Sequence, residues 1–479
     1  MRKIERIDRH FLIVASTLVG LVLAVWLRLP LRPDMMINVD ELIPLAVSQS
    51  MTVLGKLDPN WAHADLPEYF RYDQYNFYLY NIISHININI GGYFHVEPIT
   101  SLRISNVVFQ VIAIALVFDG ARRYGFSIFA NTVLVLSMVV APTWVHDALM
   151  ARPESLLYLM TGLAFWISSL SLGLLIRVIL VSLVLGAGAA VKVTYPIVGV
   201  AGALGIAMLA WPGWKKAALA GLAAPIAVVA GFIASAPYAI ANFDIFFNGL
   251  VALSTQYGSA HPPHSHPDPW PLTYFFWISR FFLELYWPWL ILVVAGLILG
   301  NNRERIAIAC LVAPFALLVL YFSTKTVFFE RNFAHAMPLL FIASALSFGT
   351  VCRRLPSQLI GLALVLIVSP GLFWSMQISQ AAYYESATRG DFVRSHGLEG
   401  FQLLPTSHTL VLAPPPACGE IAVMELDNAY ARRYDLLLRD QGFSRVAFYK
   451  GPFNDLASST LQSYLGYSMG FYAKPCEGT

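Results

Sequence analysis

The chain has 479 residues, 57% of them hydrophobic and only 12% charged, with a mean hydropathy of +0.62. A soluble globular chain carries roughly 25% charged residues, so half the usual surface charge is absent. That excludes a disordered protein, a coiled coil, a basic nucleic-acid binder and almost any water-soluble enzyme. The net charge of +3 adds little, and the chain reads as an all-α polytopic membrane protein.

A helical span needs about 20 mostly apolar residues. Eleven such runs occur, near 11–29, 101–118, 126–143, 154–170, 174–191, 196–211, 217–238, 272–298, 306–322, 333–350 and 359–378. The first ends in Leu-Arg-Leu-Pro-Leu-Arg-Pro without a small-residue cleavage site, so it reads as a retained anchor and not a signal peptide. Lys and Arg fall in alternate short loops: Arg2, Lys3, Arg6 and Arg9, then Arg122 and Arg123, Arg177, Lys215 and Lys216, Arg303 and Arg305, and Arg353 and Arg354. All of them lie on one side if the N-terminus is cytoplasmic. Residues 1–378 then form a transmembrane domain, with long outer loops at 30–100 and 239–271. Residues 379–479 form an outer domain.

Acids and bases collect on the outer side of this layout. Asp40 and Glu41 follow the first span. Residues 41–56 and 73–90 are amphipathic and too polar to span, as suits helices lying in the interface, and the second carries Tyr75, Phe77, Tyr78 and Tyr80. Between them runs a polar loop with His63, Asp65, Glu68 and Arg71. His146 and Asp147 follow the third span in a segment continuing to Ala151-Arg152-Pro153-Glu154, and Lys192 follows the fifth. Lys325, Glu330 and Arg331 sit between the ninth and tenth.

Each of these groups also has a plainer reading. Asp40 and Glu41 suit a solvated loop, Lys192 can snorkel, and Arg152–Glu154 and Glu330–Arg331 suit structural ion pairs. The functional reading rests on their combination: a chain this poor in charge places them at one membrane depth. In the loop 257–268, His261, His264, His266 and Asp268 are all possible metal ligands. Its prolines oppose a helix and the spacing matches no strong zinc pattern, which favours a substrate-contacting or ordering loop.

The tail holds 10 acidic and 8 basic residues and reads as a small α/β domain. Strands are expected at Thr409–Leu412 and Arg445–Tyr449 and a helix at Leu426–Gln441. Cys310 and Cys352 fall in or beside spans. Cys418 and Cys476 share the outer tail, where oxidising conditions permit a disulfide that sequence alone leaves open.

This pattern resembles the GT-C superfamily of membrane glycosyltransferases, in particular the branch of protein O-mannosyltransferases and lipid A aminoarabinose transferases. The residues that carry the likeness are Asp40-Glu41, His146-Asp147 with Ala151-Arg152-Pro153-Glu154, and Lys192. The Pro/His-rich loop 257–271 and Glu330-Arg331-Asn332 leading to Pro338 are weaker echoes. The likeness covers about 1–350, and the tail matches no known pattern.

The resemblance implies sugar transfer from a polyprenyl-phosphate carrier to an acceptor on the outer face, with inversion and without a metal or other cofactor. Asp40 is then the expected general base and Asp147 a second catalytic acid. Substrate contacts fall to Glu41, Arg71, His146, Arg152, Glu154, Lys192, His261, His264, Lys325 and Arg331. Sugar and acceptor (protein, lipid or glycan) stay open, and the compact loops suit a bacterial inner membrane. The competing class is a transporter of a polar or lipid-linked substrate, but no half-to-half similarity of the usual kind is present. A non-catalytic scaffold would leave the charged groups without a shared purpose.

Overall fold

The structure is a computed structural model that describes residues 20, 22–28, 39–66, 74–209, 214–258, 272–326, 329–400, 402–405, 420–425, 436, 438–440, 442–450 and 468–474. Residues 22–28 are helical. After them come α1 (Val39–Leu54), α2 (Tyr78–Tyr93), α3 (Pro98–Arg123), α4 (Ile128–Val139), α5 (Pro142–Leu149), α6 (Glu154–Ser169) and α7 (Leu174–Val191). Next are α8 (Gly199–Leu209), α9 (Trp214–Ser235), α10 (Pro237–Ala241), α11 (Phe243–Gly258), α12 (Thr273–Leu299), α13 (Asn302–Ser323), a 3-10 turn at Glu330–Ala336, α14 (Met337–Cys352) and α15 (Ser357–Ser395).

Among the described residues, seven helices are long and apolar enough to cross a membrane: Pro98–Arg123, Leu174–Val191, Ala218–Ser235, Thr273–Leu299, Asn302–Ser323, Glu330–Cys352 and Leu359–Ala381. The pair α4 and α5, bent by 43°, makes an eighth if it is one broken span. These eight coincide with eight of the eleven apolar runs. Two others are shorter than a full span: α6 has 16 residues, and the run at 196–211 becomes the short helical stretch Tyr195–Met208. The first run falls largely outside the described residues. The amphipathic segments 41–56 and 73–90 do form helices, α1 and α2.

Pro142 explains the bend. It stands at the first position of α5, where a missing N–H is tolerated but the preceding helix cannot continue through it. At α7 and α9 small residues allow close approach. A Cβ on Gly186 would lie 2.0 Å from the Val228 carbonyl oxygen, and one on Gly231 2.3 Å from that of Leu183, so the two backbones nearly touch.

Helix polarity sorts the chain ends. The basic turns 122–123, 177, 303–305 and 353–354 gather at one end of the bundle. There Tyr124 Oη bonds Ser168 Oγ, Arg177 bonds the Ser168 carbonyl, and Arg353 pairs with Glu304. Gly349 near the end of α14 packs beside Ser127 at the start of α4, joining these groups. The first turns of α1 and α6 and the last turns of α5 and α7 lie at the opposite end.

Helix α15 runs through residue 378 without interruption. Its 39 residues measure about 58 Å, against a hydrocarbon thickness of about 30 Å, so it extends well beyond the bilayer. Its last turns pack Phe392 and Val393 on Leu398, Ile421, Tyr449, Met469 and Phe471. Leu398 lies in a 3-10 turn, Leu398–Gly400, and the other four belong to a four-stranded sheet of β1 (Gln402–Pro405), β2 (Glu420–Glu425), β3 (Ser444–Tyr449) and β4 (Met469–Ala473), in the order β1-β2-β4-β3. β1 and β2 are parallel and the other pairings antiparallel. The expected strand at 445–449 is therefore present. Of the expected helix, residues 436 and 438–440 are helical. Residues 409–412, 426–435, Cys418 and Cys476 lie outside the described residues.

Candidate functional site

The site is built where helix termini meet. Asp40 and Glu41 occupy the first turn of α1, where carboxylates are favoured by the helix dipole. His146 and Asp147 lie near the end of α5. Glu154 opens α6, Lys192 caps α7, and Arg331 lies in the 3-10 turn that leads into α14.

Four of these residues, Asp40, Glu154, Lys192 and Arg331, close a ring with Arg152, which lies between α5 and α6. Arg331 Nη1 donates to Asp40 Oδ2. Arg152 Nη1 lies 3.8 Å from the same oxygen, and its Nε lies 3.9 Å from Glu154 Oε2. Glu154 Oε1 is 3.8 Å from Lys192 Nζ, which approaches the Arg331 carbonyl at 3.5 Å and completes the circuit. Arg152 Nη2 also reaches Asp147 Oδ1 at 3.4 Å and His146 Nδ1 at 3.2 Å. A guanidinium only donates, so His146 Nδ1 is the acceptor in that contact.

The two candidate catalytic carboxylates differ in access. Asp147 is 1% exposed, whereas the Asp40 side chain is 22% exposed. Asp147 is also more tightly held: Tyr158 Oη donates to its Oδ2 at 2.6 Å, and Ser155 Oγ donates to its carbonyl at 3.2 Å. Tyr158 stacks on Trp144 with ring centroids 4.2 Å apart. Burial, partly offset by Glu154 and reinforced by Arg331, lowers Lys192 to about 8.

Glu41, expected as a substrate contact, has another place. It is fully buried and bidentate with Arg103, at 3.0 and 2.9 Å, and its Oε1 accepts the Ala151 N–H at 2.6 Å. Asn106 donates to the Met150 and Arg152 carbonyls. Glu41 therefore holds the segment that presents Arg152. Lys325 likewise stands apart from the ring: its ammonium lies 4.7 Å from the Tyr321 ring centroid. Arg71, His261 and His264 lie outside the described residues. Helix α11, which precedes the loop bearing those histidines, ends beside the site, with Tyr257 Oη accepting from Asn332 Nδ2 at 3.3 Å.

Sequence reasoning missed Arg103, Tyr158, Asn106 and Ser155. Arg103 had a visible signal, an arginine inside an otherwise apolar run. The other three had none, because a Tyr, Asn or Ser in a span is ordinary until its partner is known. Beside Lys192, Ala190 and Val193 line a hollow with Tyr75, Phe77, Tyr78 and Phe232. Phe77 takes a left-handed backbone (φ 54°) there, a strained conformation for a bulky residue.

No protein-family profile matches the sequence, and no curated protein matches it. Solved structures do. The crystal structure of ArnT from Cupriavidus metallidurans bound to undecaprenyl phosphate aligns over 96% of this chain and 97% of its own, with TM-score 0.55 and 12% identity. The same protein in the apo state aligns over the same shares, with TM-score 0.54 and 14% identity. The arabinofuranosyltransferase AftD from Mycobacteria aligns over 98% of this chain and 40% of its own, with TM-score 0.47 and 12% identity. At such identities the likeness to ArnT is one of fold alone: the chain has an ArnT-like fold, as the sequence resemblance led us to expect.

Proposed function

We propose that this protein transfers a sugar from a polyprenyl-phosphate carrier to an acceptor at the outer face of the membrane, by inverting displacement. The observation that supports this most is the convergence of Asp40, the more accessible of the two candidate catalytic carboxylates, with Arg152, Arg331 and Lys192 at one end of an ArnT-like bundle. ArnT itself has been crystallised with undecaprenyl phosphate, a carrier of the proposed class.

The chemistry follows from the charges. The acceptor hydroxyl attacks the anomeric carbon as the bond from that carbon to the phosphate oxygen breaks. The hydroxyl proton passes to Asp40, and the bonding electrons leave on the phosphate. Arg331 and Arg152 offer planar donors to the phosphate and Lys192 a point charge. Fixed cations in a half-buried site stabilise the leaving charge without reorganisation.

Without substrate, Asp40 is neutralised by Arg331. A carrier phosphate that takes over this guanidinium frees Asp40 and raises its proton affinity, so the base becomes competent as the donor binds. Asp147, expected as a second catalytic acid, is buried and anchored by Tyr158 and Arg152, so in this reading it is a positioning residue that holds Arg152 and His146. The aromatic hollow beside Lys192 suits the first isoprene units of the carrier.

The test compares wild type with Asp40→Asn for transfer from radiolabelled polyprenyl-phosphate sugars to an extract of the native envelope. Asp40→Asn keeps the shape, so carrier binding is expected to survive while transfer is lost. Transfer by Asp40→Asn at the wild-type rate rules out Asp40 as the base. Failure of wild type to bind any carrier rules out the transferase reading and favours a transporter.

A further inference from the structure

Arg28, at the end of the first described helical stretch, is 1% exposed, and no carboxylate pairs with it among the described residues. A buried guanidinium without a counter-ion is costly, so its contacts should explain its presence. They are backbone and amide oxygens: Nη1 donates to the Ala24 and Val139 carbonyls at 3.0 and 3.2 Å, and Nε to Gln110 Oε1 at 2.9 Å.

Val139 lies at the break between α4 and α5. Pro142 has no N–H, and the Thr143 N–H donates sideways to Tyr286 Oη at 3.0 Å, so the carbonyls ending α4 lose their usual helical donors. Arg28 satisfies Val139, and Ser375 Oγ satisfies Val140 at 2.9 Å. The break is thus held open by side chains from three other helical segments.

The arginine also sets the direction of a hydrogen-bond chain. Because a guanidinium only donates, it fixes the Gln110 amide with its oxygen toward Arg28. Gln110 Nε2 must then donate away, and does so to the Trp144 carbonyl at 2.7 Å and Ser155 Oγ at 3.0 Å. Ser155, having accepted, donates to the Asp147 carbonyl at 3.2 Å. We infer that Arg28 is a positioning residue: it clamps the α4–α5 break and, through Gln110 and Ser155, fixes the backbone that presents Asp147 and Arg152 to the site.

This inference rests on the proposed transferase for its kinetic consequence but not for its structural one, so the test has two arms. Hydrogen–deuterium exchange in detergent is followed for peptides covering 140–152 and for α12 and α13. Arg28→Met and Gln110→Met are each expected to raise exchange over 140–152 while leaving α12 and α13 at wild-type levels. In the transfer assay both lower kcat by about 100-fold, the scale of an ångström-sized misplacement, with the carrier KM within about twofold. Arg28→Lys keeps a donor and a charge but lacks the fork, so it falls between wild type and Arg28→Met in both arms. It is also the variant to measure if Arg28→Met fails to fold.

Wild-type exchange over 140–152 in these variants overturns the proposal. So does an equal rise in every helix, which marks general destabilisation. If wild type transfers no sugar, the exchange arm still decides the clamp, and only the transferase reading falls.

Discussion

Removing Arg103 tests how the site is held. The Arg103–Glu41 pair is wholly buried, and Glu41 also holds the Ala151 N–H. Arg103→Met fills the space with an apolar chain and strands the Glu41 carboxylate. At an effective dielectric of 20 and a charge separation of about 4 Å, the lost attraction is about 4 kcal/mol. Breaking a buried pair from one side costs about 3–5 kcal/mol in measured cases. Replacing both partners by apolar groups is close to neutral, so Glu41→Met/Arg103→Met should recover most of the loss in stability.

The assay is unfolding in mixed dodecyl maltoside and SDS micelles, followed by tryptophan fluorescence, with transfer activity measured in parallel. Activity should fall in both variants: the double variant loses the Glu41 tether at Ala151, which precedes Arg152, and Arg103→Met leaves Glu41 without the guanidinium that orients it. A double variant no more stable than Arg103→Met, or a cost below about 1 kcal/mol for Arg103→Met, refutes the argument that an uncompensated charge dominates.

Lys192 gives a pH test in which activity and stability move in opposite directions. Its ammonium titrates near 8 in the folded protein against 10.5 for a free lysine, so transfer should fall as pH rises through about 8, and Lys192→Arg should carry activity to higher pH. The unfolded chain binds the extra proton between 8 and 10.5, so the penalty this buried lysine puts on folding is relieved, and stability rises, as pH climbs through that window; a fall in activity at pH 6–7 instead removes Lys192 from the reaction. Tyr158→Phe deletes a hydrogen bond to a carboxylate, worth about 1.5–3 kcal/mol, and should lower kcat by about 10- to 100-fold; unchanged kcat shows that Asp147 needs no such anchor. Gly186→Ala puts a Cβ on the Val228 carbonyl and should separate α7 from α9, lowering the thermal midpoint in detergent and displacing Lys192. An unchanged midpoint means the helices have room the structure does not show.

Much of the architecture was legible because a bilayer imposes one rule on every span. Apolar length sufficed to find 174–191 to the residue, and the same rule located α3, α12, α13, α14 and the first part of α15. Length could not show that α6 is shorter than a span or that the run at 126–143 breaks at Pro142. Those outcomes depend on neighbours that satisfy the freed backbone groups: Arg28, Ser375 and Tyr286. Nor could it show that the last span continues to Ser395 and carries the sheet, since leaving the membrane does not end a helix whose exposed backbone is already bonded.

For the site, sequence determined the inventory: a chain poor in charge spends its acids and bases after particular spans, and Asp40, His146, Asp147, Arg152, Glu154, Lys192 and Arg331 do converge. Tertiary structure alone decided their division of labour. Asp40 and Glu41 are adjacent in the chain, but successive helical positions point about 100° apart. One carboxylate therefore reaches the half-open ring with Arg331 and Arg152, and the other turns inward to Arg103, 62 residues away. Partner choice at such range is set by how helices pack, and no local pattern in the sequence records it.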